Sequence, residues 1–201
     1  MFATRKYLLI ATAVATTVIL SACTGGSMAG MDMGQTNSNS NQSSMDASAA
    51  FNDADVTFAQ RMIPHHTQAV EMSDVILVKT GIDQRVLDLA TQIKAAQEPE
   101  IKQLKTWLAA WGASSSGMTG MDHGTDGMMS QNDMGALNSA IGTDASKLFL
   151  GQMMTHHQGA IKMAQSEIDW GRNSNAKKMA QAIVKTQTNE ISAMKDLLGT
   201  L

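Results

Sequence analysis

Two stretches decide how this chain folds: "FAQRMIPHHTQAVEM", Phe58 to Met72, and "FLGQMMTHHQGAIKM", Phe149 to Met163. They align at an offset of 91 residues and hold four of the five histidines. Sorted at helical spacing, one stripe reads Phe58, Met62, His65, Ala69, Met72 and its counterpart reads Phe149, Met153, His156, Ala160, Met163, identical at every position. The adjacent stripe (Ala59, Ile63, His66, Val70, Ser73 against Leu150, Met154, His157, Ile161, Ala164) keeps apolar character at most positions but identity only at the histidine. The outward positions Gln60, Arg61, Pro64, Thr67, Gln68 and Glu71 match none of their partners. Packing alone tolerates swaps of similar volume. Identity confined to one stripe therefore marks a stricter demand than burial, and that demand includes both Met and His.

Around these stretches apolar residues recur at three- and four-residue intervals, which predicts four helices. The first runs from Asp53 to about Lys79, with Asn52 or Asp53 as cap and Gly81 past its end; the second runs from about Asp83 to Trp111. The third runs from about Asp144 to Trp170, with Thr143 as cap and Gly171 as stop; the fourth runs from about Asn175 to Leu198. Gln92 to Leu108 repeats as Ala182 to Leu198 at an offset of 90. Each half is thus a helical hairpin, and two hairpins make an all-α four-helix bundle. Pro64 removes the donor for the carbonyl of Gln60 and is expected to kink the first helix just before its histidines.

Met62 and His65 lie three residues apart on one helix face, as do Met153 and His156, and such pairs can share a metal ion. Met72 is seven residues beyond His65, about 10 Å along the axis, so Met72 and Met163 are either core or a second site. Candidate ligands are Met62, His65, His66 and Met72 in the first copy, and Met153, Met154, His156, His157 and Met163 in the second. On the pairing helices, Gln97, Glu100, Gln187 and Glu190 fall on core-facing stripes. Buried polar groups need partners, and the free imidazole N–H of a ligating histidine is a natural one.

The chain carries 17 Met against 4 Phe, 3 Trp and 1 Tyr. Nine of these methionines (28, 31, 33, 45, 118, 121, 128, 129 and 134) lie in two Gly-, Ser- and Asn-rich segments, where core packing does not explain them. "MAGMDMG" at Met28 to Gly34 resembles "MTGMDHG" at Met118 to Gly124. Met118, Met121, His123, Met128 and Met129 are candidate weaker ligands. Soft thioether sulfur selects Cu(I) over Mg, Ca or Mn, so copper is the expected ion, with silver beside it.

At the N-terminus, "MFATRK" and the apolar run from Tyr7 to Leu20 have the pattern of a secretory signal. The run ends in "LSAC", which resembles the lipobox of bacterial lipoproteins and makes Cys23, the only cysteine, the expected lipidation site. The expected organisation is a signal peptide over 1–22, a disordered Met-rich tether over 23–51, and a bundle domain over 52–201 with a Met-rich loop at 112–135. Without Arg5 and Lys6 the net charge moves from −3 to −5, which argues against a nucleic-acid partner. The expected location is outside the cytoplasm, lipid-anchored to the cell envelope.

The paired motifs "RMIPHHTQAVEM" and "QMMTHHQGAIKMA" resemble the bacterial extracytoplasmic family called domain of unknown function 305. The resemblance spans Asp53 to about Leu198 and implies a ferritin-like bundle and, from some of its members, copper binding. Three functions are weighed. The first is a membrane-anchored lipoprotein that sequesters or transfers Cu(I) or Ag(I), with a copper-donating or copper-accepting protein as partner. The second is a di-iron oxidoreductase, but the E-x-x-H motif of that bundle type is missing, because Met62, Ile63, Met153 and Met154 stand three residues before the histidines. The third is a metal-free structural envelope lipoprotein, which gives no reason for the methionines outside the helices. No nucleophile motif, phosphate loop or pair of catalytic carboxylates favours an enzyme.

Overall fold

A computed structural model describes residues 50–115 and 127–201. The signal peptide, Cys23, the tether up to residue 49, and Met118, Met121 and His123 lie outside those residues. The described chain is helical: α1 (Asp53–Leu77), α2 (Gln84–Ala110), a short α3 (Gln131–Ser139), α4 (Gly142–Trp170) and α5 (Ser174–Leu198). Among the described residues no helix is long and apolar enough to cross a membrane.

Most helix starts follow from local chemistry. Asn52 caps α1 by accepting from the Ala54 and Asp55 amides, and the Asp55 side chain reaches back to the Asn52 amide at 2.6 Å, completing a capping box. Asp83 caps α2 and Asn173 caps α5 in the same way, without the return bond. The helices run without a break through Pro64 and Pro99.

Two expectations are corrected. Thr143 does not cap α4, which begins at Gly142 behind Ile141 with no side-chain cap; only Ala140 and Ile141 separate it from α3, too little chain for a separate capping turn. The segment 112–135 is not irregular to its end, because α3 starts at Gln131. Ser130 and Asp133 form a second capping box, and Leu137 is fully buried, which holds this nine-residue helix on the bundle.

α1 packs chiefly on α2 and α4 on α5; the two hairpins meet through α1 and α4, while α2 and α5 scarcely touch. The two histidine-bearing helices are therefore the central pair. They run antiparallel: Phe58 and Met62 share an apolar cluster with Ala160, Met163 and Ala164, whereas Ala69, Met72 and Ile76 share another with Phe149, Leu150 and Met153. These two clusters are separate, and the histidines lie between them. The first cluster is closed by Trp107 and Trp111, on which Phe51 stacks at 5.0 Å, so the chain is already held to the bundle at residue 51.

A buried carboxyl pair fixes one end. Asp55, fully buried, accepts from the Asn173 amide at 2.8 Å and from the Arg172 amide, tying the start of α1 to the turn between α4 and α5. Beside it, Glu167 is pushed up to about 8, by burial first and then by the Asp55 carboxyl, with Lys177 opposing, so it keeps its proton at neutral pH.

Candidate metal centre

All ten residues of the matched stripes are buried, including Met62, Met72, Met153 and Met163. At the crossing of α1 and α4 the His65 and His156 rings face each other with centroids 3.7 Å apart. His66 and His157 lie beside them and are also fully buried. Burial, then His66 and His157, lower His65 to about 3; burial and the other three histidines hold His156 well below its usual value. Desolvation and mutual repulsion both act against a charge in this layer, so these two rings stay neutral at physiological pH.

The pairing helices supply carboxylates to the outer histidine of each pair. His66 Nε2 lies 2.9 Å from Glu100 Oε2, and His157 Nε2 lies 2.7 Å from Glu190 Oε2. A carboxylate can only accept, so each Nε2 carries the hydrogen and, in the neutral ring, each Nδ1 is left with an open lone pair. This is the buttressing that metal-ligating histidines commonly have. Glu100 and Glu190 thus meet His66 and His157 rather than the central His65 and His156. Gln97 and Gln187, each three residues before one of these glutamates, are buried as well.

The layer is short of hydrogen-bond partners. His66 Nδ1, His157 Nδ1, both ring nitrogens of His156, and the Oε1 atoms of Gln97 and Gln187 are buried without a partner of suitable geometry. Each such orphan costs about 1–3 kcal/mol, and a cluster of them calls for a ligand or an equivalent. A cation accepted by imidazole lone pairs and amide oxygens fits these atoms. Among the described residues no three His, Cys, Asp or Glu side chains form a group that could hold an ion. Thioethers lie on either side of the layer.

The antiparallel crossing decides how those thioethers are grouped. Met62 falls with Met163 in one cluster and Met153 with Met72 in the other, one pair on each side of the histidines. Spacing along one helix had separated Met72 from His65; the second helix returns a methionine to each side. Met154 is half-buried against the second cluster, as is Met129, while Met128 is only partly covered.

Sequence reasoning missed Gln68. It reads as an outward residue, yet its amide makes two bonds to the Met129 backbone, donating to the carbonyl at 2.8 Å and accepting from the N–H at 2.7 Å. The one clue was that Gln68 aligns with Gly159, a pairing of unlike residues beside the most alike part of the repeat.

An all-helical bundle of two repeated hairpins, with a buried histidine layer between methionine-bearing clusters, defines the class. The chain belongs to the family described as domain of unknown function 305 (DUF305), whose model matches residues 55–198. It is similar to a DUF305 fragment from Deinococcus radiodurans, 30% identical with a TM-score of 0.68, over 75% of this chain and 98% of that one. A DUF305 protein from Streptomyces coelicolor is 32% identical with a TM-score of 0.68, over 73% and 91% of the two chains. CopM in its Cu(II)-bound form is 30% identical with a TM-score of 0.63, over 73% and 96%, and CopM in Cu(I)-bound and Ag-bound forms is also similar. No curated protein matches the chain.

Proposed function

We propose that this protein is an extracytoplasmic copper-binding lipoprotein that sequesters Cu(I), takes Ag(I) by the same chemistry, and hands the ion to or receives it from another protein. The observation that carries the reading is the layer of orphaned, buried ring nitrogens at His66, His156 and His157 between two thioether pairs. Neutral imidazole and thioether suit a soft monovalent ion, which needs no carboxylate to balance its charge. The likeness to CopM, bound to Cu(I), Cu(II) and Ag, supports the same choice. A di-iron reading needs carboxylates turned into the layer, whereas Glu100 and Glu190 are engaged with His66 and His157 at its edge.

Competition separates this function from a general divalent site. Titrated with a chromogenic Cu(I) chelator, the protein should withdraw Cu(I) and retain it in an excess of Zn(II), because thioether is a poor zinc ligand. Displacement of the Cu(I) by zinc would reject the reading.

Anchoring at Cys23 is the second part of the proposal and rests on "LSAC" after the apolar run from Tyr7 to Leu20. Expressed in a bacterial host, the protein should fractionate with membranes, and Cys23→Ala should move it to the soluble fraction. A wild-type protein found soluble with an unmodified thiol by mass spectrometry contradicts the anchor while leaving the copper site untouched.

A further inference from the structure

The two apolar halves of the core differ in sulfur. One holds Met62 and Met163, with Met179 at its margin, and is closed by tryptophan. The other holds Met72, Met153 and Met194 in its interior, with Met129, Met134 and Met154 partly buried against it. Both halves hold buried thioethers, but among the described residues three partly buried methionines lie against the second half and one, Met179, against the first.

The segment leading into α3 covers this half. Gly127 has φ +78, and a Cβ there would collide with the Thr155 carbonyl oxygen and come within 3.2 Å of the Gly159 backbone. The chain therefore lies directly on the turn of α4 that carries His156 and His157. Two residues later the Gln68 amide clamps Met129 to α1. Gln152 then donates to the Asp133 carbonyl at 2.9 Å, and Lys79 donates to the carbonyls of Asn138 and Ala140. Gln68 and Gly159 are equivalent positions of the repeat. The segment thus touches both central helices beside their histidines, which is why these two positions are unlike: one binds the crossing backbone and the other makes room for it.

We propose that this sulfur-rich half is the route by which Cu(I) or Ag(I) reaches and leaves the histidine layer. Met129, Met134 and Met154 receive the ion at the surface, and Met153 and Met72 pass it inward. Thioethers are neutral and bind without losing a proton, so the ion moves by exchange of one sulfur donor for another, with no change of oxidation state and no proton released. The tryptophan-closed half has one partly buried methionine, Met179, at its margin among the described residues. The route rests on the copper-binding reading above, and its test separates the two.

Transfer of Cu(I) from a chromogenic chelator gives a rate from its time course and an affinity from its end point. In the triple variant Met129→Leu, Met134→Leu, Met154→Leu, which keeps side-chain volume, uptake and release should both slow by roughly tenfold, a barrier rise of about 1.4 kcal/mol. The affinity, their ratio, should change far less than either rate. Met154→Leu alone should show a smaller slowing of the same sign, and Met179→Leu in the opposite half should leave both rates as they are. Unchanged rates in the triple variant, or equal slowing in Met179→Leu, overturn the route. So does a lower affinity caused by faster release, which would make these residues ligands of the tight site. A wild type that withdraws no copper rejects the function and the route together.

Discussion

Replacing His65 and His156 together by alanine should weaken the tightest Cu(I) binding at least about a hundredfold, since even removing the partner of a ligating group commonly costs 10–100-fold. The two rings face each other at the crossing of α1 and α4, 3.7 Å between centroids, so one double substitution empties the middle of the layer. Helicity should survive. The space left by buried side chains costs a few kcal/mol, roughly 2–5 by analogy with other large-to-alanine changes, but the orphaned ring nitrogens of His156 are removed with it, each a cost of about 1–3 kcal/mol in the parent. As a comparison, Met118, Met121 and His123 changed together to serine should remove weaker equivalents of copper and leave the tight site in place. Competitive titration of the three proteins against a Cu(I) chelator, with circular dichroism for folding, reads both effects. Undiminished affinity in the double-histidine variant, with loss in the serine variant, would move the copper site to the loop and return the paired histidines to the core.

The second large effect is on folding and lies at the far end of the molecule. Asp55→Ala should destabilise the protein by about 3–5 kcal/mol: three backbone amides lose a carboxylate acceptor, each bond of that kind is worth roughly 1.5–3 kcal/mol, and water recovers part of the sum at the two amides that are only half-buried. Those amides belong to Asn52, Arg172 and Asn173, so the same substitution opens the capping box of α1 and frees the α4–α5 turn. Denaturant unfolding of wild type and variant measures the difference. A loss below about 1 kcal/mol, the ordinary worth of a single cap, would mean that water replaces the carboxylate and that the tie is local to α1.

The fold was legible wherever a residue answers to its own helix. The stripes of Phe, Met, His and Ala named the buried face of α1 and α4, and Asn52, one of two candidate caps with Asp53, is the residue that caps α1. What the sequence did not show are features that depend on how helices cross. Met62 with Met163, and Met72 with Met153, are neighbours only because α1 and α4 are antiparallel, and no spacing along one helix contains that fact. Of the polar residues expected beside the histidines, Gln97, Glu100, Gln187 and Glu190, the two glutamates lie against His66 and His157, but which histidine each meets depends on the rotation of α2 and α5 about their axes. α3 was hidden by composition: glycine and methionine around it read as loop, although Ser130, Asp133 and Leu137 spell a cap and an anchored turn. Gln68 was misjudged because a mismatch between repeats looks like a free surface, when here it marks the place where a segment outside the repeat is held.

The histidine layer divides the core into two apolar halves that do not join. On the copper-binding reading proposed above, an ion held by the histidines of α1 and α4 would also fasten the two hairpins together. A ligand that binds only the folded chain stabilises it by about 2.7 kcal/mol at a free concentration one hundred times its dissociation constant. Loading therefore sets lifetime as well as occupancy. On that reading a copper-loaded chain would resist unfolding and proteolysis better than an empty one, and the amount of protein would follow the supply of metal.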